Sequence, residues 1–369
     1  MLRTAVLALL VAGCATFDPV DRTVLDQLTP ELGQLLLVGF DGTEGPDNRE
    51  LHALVCETRV GGVLLFGRNV VDAAQVTRLT AWITAHADGC GVARPLIAVD
   101  AEGGRVMRLA PRAGYVPTPT AQELGDQHDT ALTELEARRI GRMLREAGIT
   151  WDLAPVVDVG YNPANPVIVG TGRSYGASPL HVASHARAFM RGLRAEGVLN
   201  SLKHFPGHGS SFTDSHAGFV DVSATANPDL ELLPYRLLLR ERIADSVMTA
   251  HVFNRHLDRR YPATLSHATV TGLLRRDIGW DGVVVSDDLR MGAIEQHYGL
   301  ADATVLALEA GVDVLLIAED RLADGRSAAL IARTAIRTAL ADGRLAQARV
   351  REALAHVAAL RRRAQQLAY

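Results

Sequence analysis

Eight short aliphatic runs recur along the 369-residue chain, separated by loops and amphipathic helical patterns. They fall at 34–40, 62–66, 96–99, 149–153, 199–202, 246–249, 282–285 and 314–317. Each is brief, unbroken and largely aliphatic, as strands buried on both faces of a parallel sheet must be. Helical periodicity lies between them, for example at 71–87, 130–147, 179–196, 267–276 and 300–309. Eight strands alternating with helices predict a single-domain α/β fold, a (β/α)8 TIM barrel. A doubly wound open sheet is the rival, but no G-x-G-x-x-G fingerprint follows the first run. No linker or shift in composition marks a second domain.

In a parallel barrel, chemistry collects at the C-terminal ends of the strands, so the residues just past each run are informative. The third run leads into Asp100, Glu102, Arg105 and Arg108, and the fourth passes through Asp158 toward Arg173-Ser174-Tyr175. The fifth ends at Lys203-His204, the sixth at Ala250-His251, the seventh at Ser286-Asp287-Asp288 and the eighth near Glu319. Charged groups therefore recur where a barrel mouth would lie. The densest stretch is Lys203-His204-Phe205-Pro206-Gly207-His208-Gly209, followed by Asp214-Ser215-His216. Pro206, Gly207 and Gly209 interrupt both a helix and a central strand, so the whole stretch is expected to be a loop.

That histidine-rich stretch resembles the signature of the β-N-acetylglucosaminidase (β-N-acetylhexosaminidase) branch of glycoside hydrolase family 3. Val99-Asp100-Ala101-Glu102-Gly103-Gly104-Arg105-Val106 resembles the family's sugar-binding loop, and Gly172-Arg173-Ser174-Tyr175 its arginine motif. Pro262-Ala263-Thr264-Leu265-Ser266 and Gly282-Val283-Val284-Val285-Ser286-Asp287-Asp288-Leu289 complete the set in the same chain order. The resemblance implies a TIM barrel without a cofactor. It also implies a retaining glycosidase that removes terminal β-linked N-acetylhexosamine from peptidoglycan fragments or chitin-type oligosaccharides.

Retention requires a carboxylate nucleophile on one side of the anomeric carbon and a proton donor on the other. By resemblance Asp287 is the nucleophile and His216, partnered by Asp214, the acid/base. An imidazole titrates near neutrality, and a neighbouring carboxylate fixes its tautomer. The resemblance assigns Asp100, Arg108, Arg173, Lys203 and His204 to sugar binding; Arg108 can equally form a structural ion pair. Asp288, pointing away from Asp287, is expected to accept a backbone or arginine hydrogen bond. His208 is expected to order its loop, and Tyr175 to pack rather than stack on sugar. His251 either lines the pocket or sits beneath it. Ser178 stands where relatives often carry Asp and is expected to cap the following helix.

Three other readings compete. His204, His208, Asp214 and His216 are metal-ligand types, but His204 and His208 would align only on a helix, which Pro206 and Gly207 forbid; no metal is expected there. A β-glucosidase-type member of the same superfamily commonly takes its acid/base from a second domain, which this chain is too short to hold. A lipid-anchored barrel could bind cell wall without catalysis, although the intact Asp287, Asp214 and His216 argue against that.

The formal net charge of −4 and the absence of a basic patch speak against a nucleic-acid partner. With 5% aromatic residues, any sugar-stacking platform is sparse. A monomer is expected. At the N-terminus Arg3 precedes an apolar run, and Val11-Ala12-Gly13-Cys14 resembles the lipobox of bacterial lipoproteins. The expected organisation is a signal peptide over 1–13, a short segment over 14–30 beginning at lipidated Cys14, and the barrel over 31–369. That implies a lipid-anchored protein on the periplasmic side of the cell envelope. Cys56 and Cys90 fall near one end of the fold, where they either pair or remain as two buried thiols. Arg361-Arg362-Arg363 read as a solvated helix end.

Overall fold

The computed structural model describes residues 19–215 and 218–367. Eight parallel strands form its centre: β1 (Leu36–Gly39), β2 (Gly62–Leu65), β3 (Leu96–Val99), β4 (Trp151–Asp152), β5 (Ser201–Phe205), β6 (Ser246–Thr249), β7 (Val283–Val285) and β8 (Leu315–Ile317). Every residue in them is buried, which is why the runs are aliphatic throughout rather than alternating. Strands β8-β1-β2-β3-β4 make one sheet and β7-β6-β5 a second. Register is fixed by pairs such as Leu36 with Leu315, Val38 with Val63 and Val247 with Leu202.

No continuous ladder joins the two sheets. Isolated parallel bridges do so instead, Trp151 with Leu199 and Val156 with Lys203 on one side, and Val285 with Val314 on the other. Backbone hydrogen bonds reinforce both seams, including Asp152 N to Leu199 O at 2.8 Å and Ser286 N to Val314 O at 2.9 Å. The fold is thus an α/β arrangement of TIM-barrel type with interrupted pairing. One cause is visible in β4, where the expected strand over 149–153 shortens to two residues. Pro155 has no N–H to continue a ladder, and Thr150 uses its side-chain hydroxyl to receive the Ile97 N–H at 3.0 Å.

Sequence and structure differ at other points too. Strand β5 runs through Phe205, so Lys203 and His204 belong to a buried strand and only the part from Pro206 onward is loop. The helical pattern at 300–309 is the second half of a longer helix, Gly292–Ala310, kinked at Gly299, whose φ of 68° suits a residue without Cβ. Ser178 occupies the first-turn cap position of helix Pro179–Ala195 but makes no capping bond; Asp72, Asp129 and Ser327 do cap their helices. Arg361 and Arg363 are only partly solvated: they bond Gln34 Oε1 and Asp245 Oδ1, tying the C-terminal helix Gln347–Leu367 to the strand-bearing core, while Arg362 is exposed. Cys56 and Cys90 form a disulfide with Cα atoms 5.7 Å apart. The signal-peptide segment 1–13, Cys14 and His216 lie outside the described residues.

Candidate active site

A cavity of about 240 Å³ opens at the C-terminal ends of the strands, and both carboxylates of the Asp287-Asp288 pair border it. Lys203, Asp100, Glu102, Arg173 and Arg108 line it as well. The lysine lies on β5, Asp100 just past β3, and Glu102 and Arg108 on or beside the hairpin formed by Ala101–Gly103 and Val106–Met107.

The cluster is a network of ion pairs. Lys203 Nζ is 2.8 Å from Asp100 Oδ1 and 2.6 Å from Glu102 Oε1. Arg173 holds Glu102 with two bonds, Nε to Oε2 and Nη2 to Oε1, each 2.7 Å. Arg108 Nη2 donates to Asp100 Oδ2 at 3.1 Å, so the structural ion pair exists; its Nε is buried without a partner among the described residues. Burial alone would raise the Asp100 and Glu102 carboxyls. The Lys203 charge on Asp100 and the Arg173 charge on Glu102 outweigh it and hold both below the usual carboxylate range. Burial lowers Lys203, but Asp100 and Glu102 more than reverse that, so all three stay charged. Sequence reasoning did not single out Glu102 as a site residue.

His204 sits between Asp158 and Arg173. Its Nδ1 is 2.6 Å from Asp158 Oδ2, and Arg173 Nη2 lies 3.2 Å from its Nε2. A guanidinium can only donate, so Nε2 accepts and the ring hydrogen sits on Nδ1, facing Asp158. Asp158 also receives the backbone N–H of His208 at 2.7 Å, anchoring the loop beyond β5. Burial opposes charge on Asp158, yet His204 and the loop hydrogen bonds hold its carboxyl low. Gly209 is required at the next turn, where a Cβ would lie 2.0 Å from Val159 O. The His208 ring bonds Ser211 Oγ at 2.7 Å and Ser215 Oγ at 3.1 Å, which fits a loop-ordering residue. Every ring nitrogen of His204 and His208 is thereby engaged.

Asp287 is half-buried on the cavity wall, and its Oδ1 receives the Asp288 N–H at 2.8 Å. Asp288 Oδ1 accepts the backbone N–H groups of Ala318 and Arg290 at 2.9 and 3.1 Å, the structural contact expected of it. Burial pushes the Asp288 carboxyl up to about 6, with Asp287 adding to the rise. His251 lies beneath, bonding Thr264 Oγ1 and Asp288 O at 2.8 Å each. Tyr175 is buried and stacks on His185 rather than facing the cavity. Ser215 borders the cavity, so the loop carrying Asp214 and His216 reaches its rim; Asp214 is described and His216 is not.

Residues 27–360 match the model of the glycosyl hydrolase family 3 N-terminal domain. The chain belongs to this family. Beta-hexosaminidase LpqI of Mycobacterium tuberculosis is 38% identical over 82% of this chain and 76% of its own length. Beta-hexosaminidase A of Pseudoalteromonas piscicida is 36% identical over 73% of this chain, which spans only 47% of that relative. Among solved structures, a family 3 β-N-acetylglucosaminidase from Paenibacillus superposes with a TM-score of 0.86 at 37% identity, covering 92% of this chain and 62% of that one. The M. tuberculosis LpqI structure gives 0.77 at 34% identity, over 93% and 97% of the two chains.

Proposed function

We propose that the protein is a retaining β-N-acetylhexosaminidase working on terminal β-linked N-acetylglucosamine of peptidoglycan fragments or chitin-type oligosaccharides. The two sheets and their bridged seams then act as one closed single-domain barrel. The observation that carries this reading is a single cavity bordered by the Asp287 carboxylate, by the Lys203-Asp100-Glu102-Arg173 network and by the loop that bears Asp214 and His216.

In the first step the Asp287 carboxylate attacks the anomeric carbon and the bond to the leaving oxygen breaks, that oxygen taking a proton from His216. In the second, water attacks the same carbon, gives its proton back to His216, and Asp287 departs as carboxylate. Asp214 orients the imidazole through both steps. Asp100 has both oxygens engaged yet remains partly exposed, so it receives sugar hydroxyls through its remaining lone pairs. Arg108 Nε is the unsatisfied donor for a sugar oxygen. Lys203 and Arg173 fix the two acids, and His204 is locked by Asp158 and Arg173; binding contacts are made by a frame that is rigid before substrate arrives.

The lipobox-like N-terminus assigns the protein to the cell envelope, held by lipid on Cys14. No described helix is long and apolar enough to cross a membrane. A panel of aryl glycosides differing at the 2-position tests the activity. Cleavage of the N-acetylglucosaminide with little cleavage of the glucoside supports the assignment. The reverse preference favours the β-glucosidase reading, and no turnover of either favours a non-catalytic binding protein.

A further inference from the structure

At the end of the fold opposite the cavity, two neighbouring helical segments repeat one pattern. His52 and Cys56 lie four apart within Arg49–Thr58; His86 and Cys90 lie four apart where Ala73–Gly89 ends, Cys90 being its cap residue. A separation of four brings side chains to one helix face. The two faces meet like on like. Cys56 is bonded to Cys90, and His52 Nδ1 lies 2.9 Å from His86 Nε2. The ligand atoms of His52, Cys56 and His86 all fall within 4.8 Å of one another. Trp82 stacks on His86 at 4.1 Å between centroids and fixes its plane, while Glu57 lies 3.8 Å from His52 Nε2.

We propose that His52, Cys56, His86 and Cys90 form a redox-gated metal site, closed as a disulfide when oxidised and able to hold one Zn²⁺ when reduced. A dithiol reductant transfers two electrons and two protons to the Cys56–Cys90 bond, giving two thiols and the reductant's own disulfide. Zn²⁺ then replaces the two thiol protons and takes one lone pair from each imidazole. With Zn–S near 2.3 Å and Zn–N near 2.0–2.1 Å, tetrahedral donors stand about 3.3–3.8 Å apart. The imidazole contact is already close to that spacing; the two sulfurs must separate, and Cys90 Sγ, which lies outside the 4.8 Å group, must turn toward the histidines. Thiolate with imidazole is the donor set that suits Zn²⁺. Glu57 would then orient His52 through its second nitrogen, the outer contact such ligands usually have. While the sulfurs are joined, neither is a thiolate and the set is incomplete.

Co²⁺ is the probe, in a Cys14→Ser background so that only this pair of thiols remains. The reduced protein is expected to bind one equivalent, with a thiolate-to-metal charge-transfer band and the visible bands of tetrahedral cobalt, both abolished by Zn²⁺. The oxidised protein should show no charge-transfer band. Loss of an outer contact alone costs such sites about 10–100-fold, so His86→Ala and His52→Ala should each weaken binding by more than about tenfold. Cys56→Ser should remove the charge-transfer band, and circular dichroism should show that these variants still fold. The proposal is overturned if the reduced protein takes up no stoichiometric Co²⁺, if the oxidised protein binds it equally, or if the double histidine variant binds as tightly.

Discussion

Lys203→Met tests whether the charged network is held together as described. The lysine side chain is 2% exposed and its two partners are 15% and 5% exposed, so solvent screens the pairs poorly. Removing one member of a buried ion pair costs about 3–5 kcal/mol, because the remaining charge stays buried. Arg108 and Arg173 still serve Asp100 and Glu102, which places the expected loss at the lower end of that range. An unfolding entropy of about 2.1 cal/mol/K per residue gives about 0.8 kcal/mol/K for a chain this long, so the melting temperature should fall by about 4–6 °C at pH 7. The pH dependence carries the sharper signal. In the wild type both carboxyls are depressed in the folded state, so their contribution is present above the ordinary carboxylate range and is lost as pH falls through their folded values. Without Lys203, burial raises both carboxyls, and protonation relieves the variant as pH falls. The difference in melting temperature should therefore shrink between pH 7 and pH 4. Calorimetry across that range checks it. A loss under about 1 kcal/mol at pH 7, or a difference that does not change with pH, would refute the reasoning.

Other outcomes follow from the same contacts. Asp152 is fully buried and raised to about 8, with Oδ2 unpartnered among the described residues. Its folded state thus keeps a proton the unfolded chain loses, and stability falls as pH rises between 3.8 and about 8. Asp152→Asn, which keeps an acceptor for the Ala101 N–H, should gain on the wild type as pH rises through that window, read as melting temperature against pH. Reducing Cys56–Cys90 releases a loop of 34 residues and should cost about 3.8 kcal/mol, measured by denaturant unfolding with and without reductant in the absence of metal. His216→Ala should slow substrates with poor leaving groups by about 10²–10⁴-fold and activated aryl glycosides much less; equal slowing of both would remove His216 from the acid role. A Cys14→Ser protein expressed in a bacterial envelope should leave the membrane fraction.

The aliphatic runs revealed the strands because burial on both faces leaves no other composition. Seven of the eight begin and end within two residues of the expected bounds, β5 alone running further. Local causes shorten another: Pro155 and the Thr150 hydroxyl truncate β4. At β5, Lys203 and His204 look like loop residues until Asp100, Glu102 and Asp158 supply their partners. Those partners are 46 to 103 residues away in sequence, so no local pattern could reveal that a lysine sits inside a strand. Glu102 and Asp158 stood at predicted strand ends but carried no assigned role for the same reason: their importance lies in what the fold brings to them. The structural role of Asp288 was legible, since it accepts backbone N–H groups as expected, but the expected divergence was not met: it borders the same cavity as Asp287. The repeat of His and Cys on two helices was visible in the sequence, but only packing shows that the two copies face each other.

The central claim is that Asp287 forms the covalent bond to the sugar. Incubation with a fluorosugar inactivator that carries the 2-acetamido group, followed by peptide mapping, tests it directly. The account predicts one sugar adduct per chain, located on Asp287 and absent from Asp287→Asn. An adduct on another carboxylate would contradict it, as would an Asp287→Asn protein that keeps wild-type turnover.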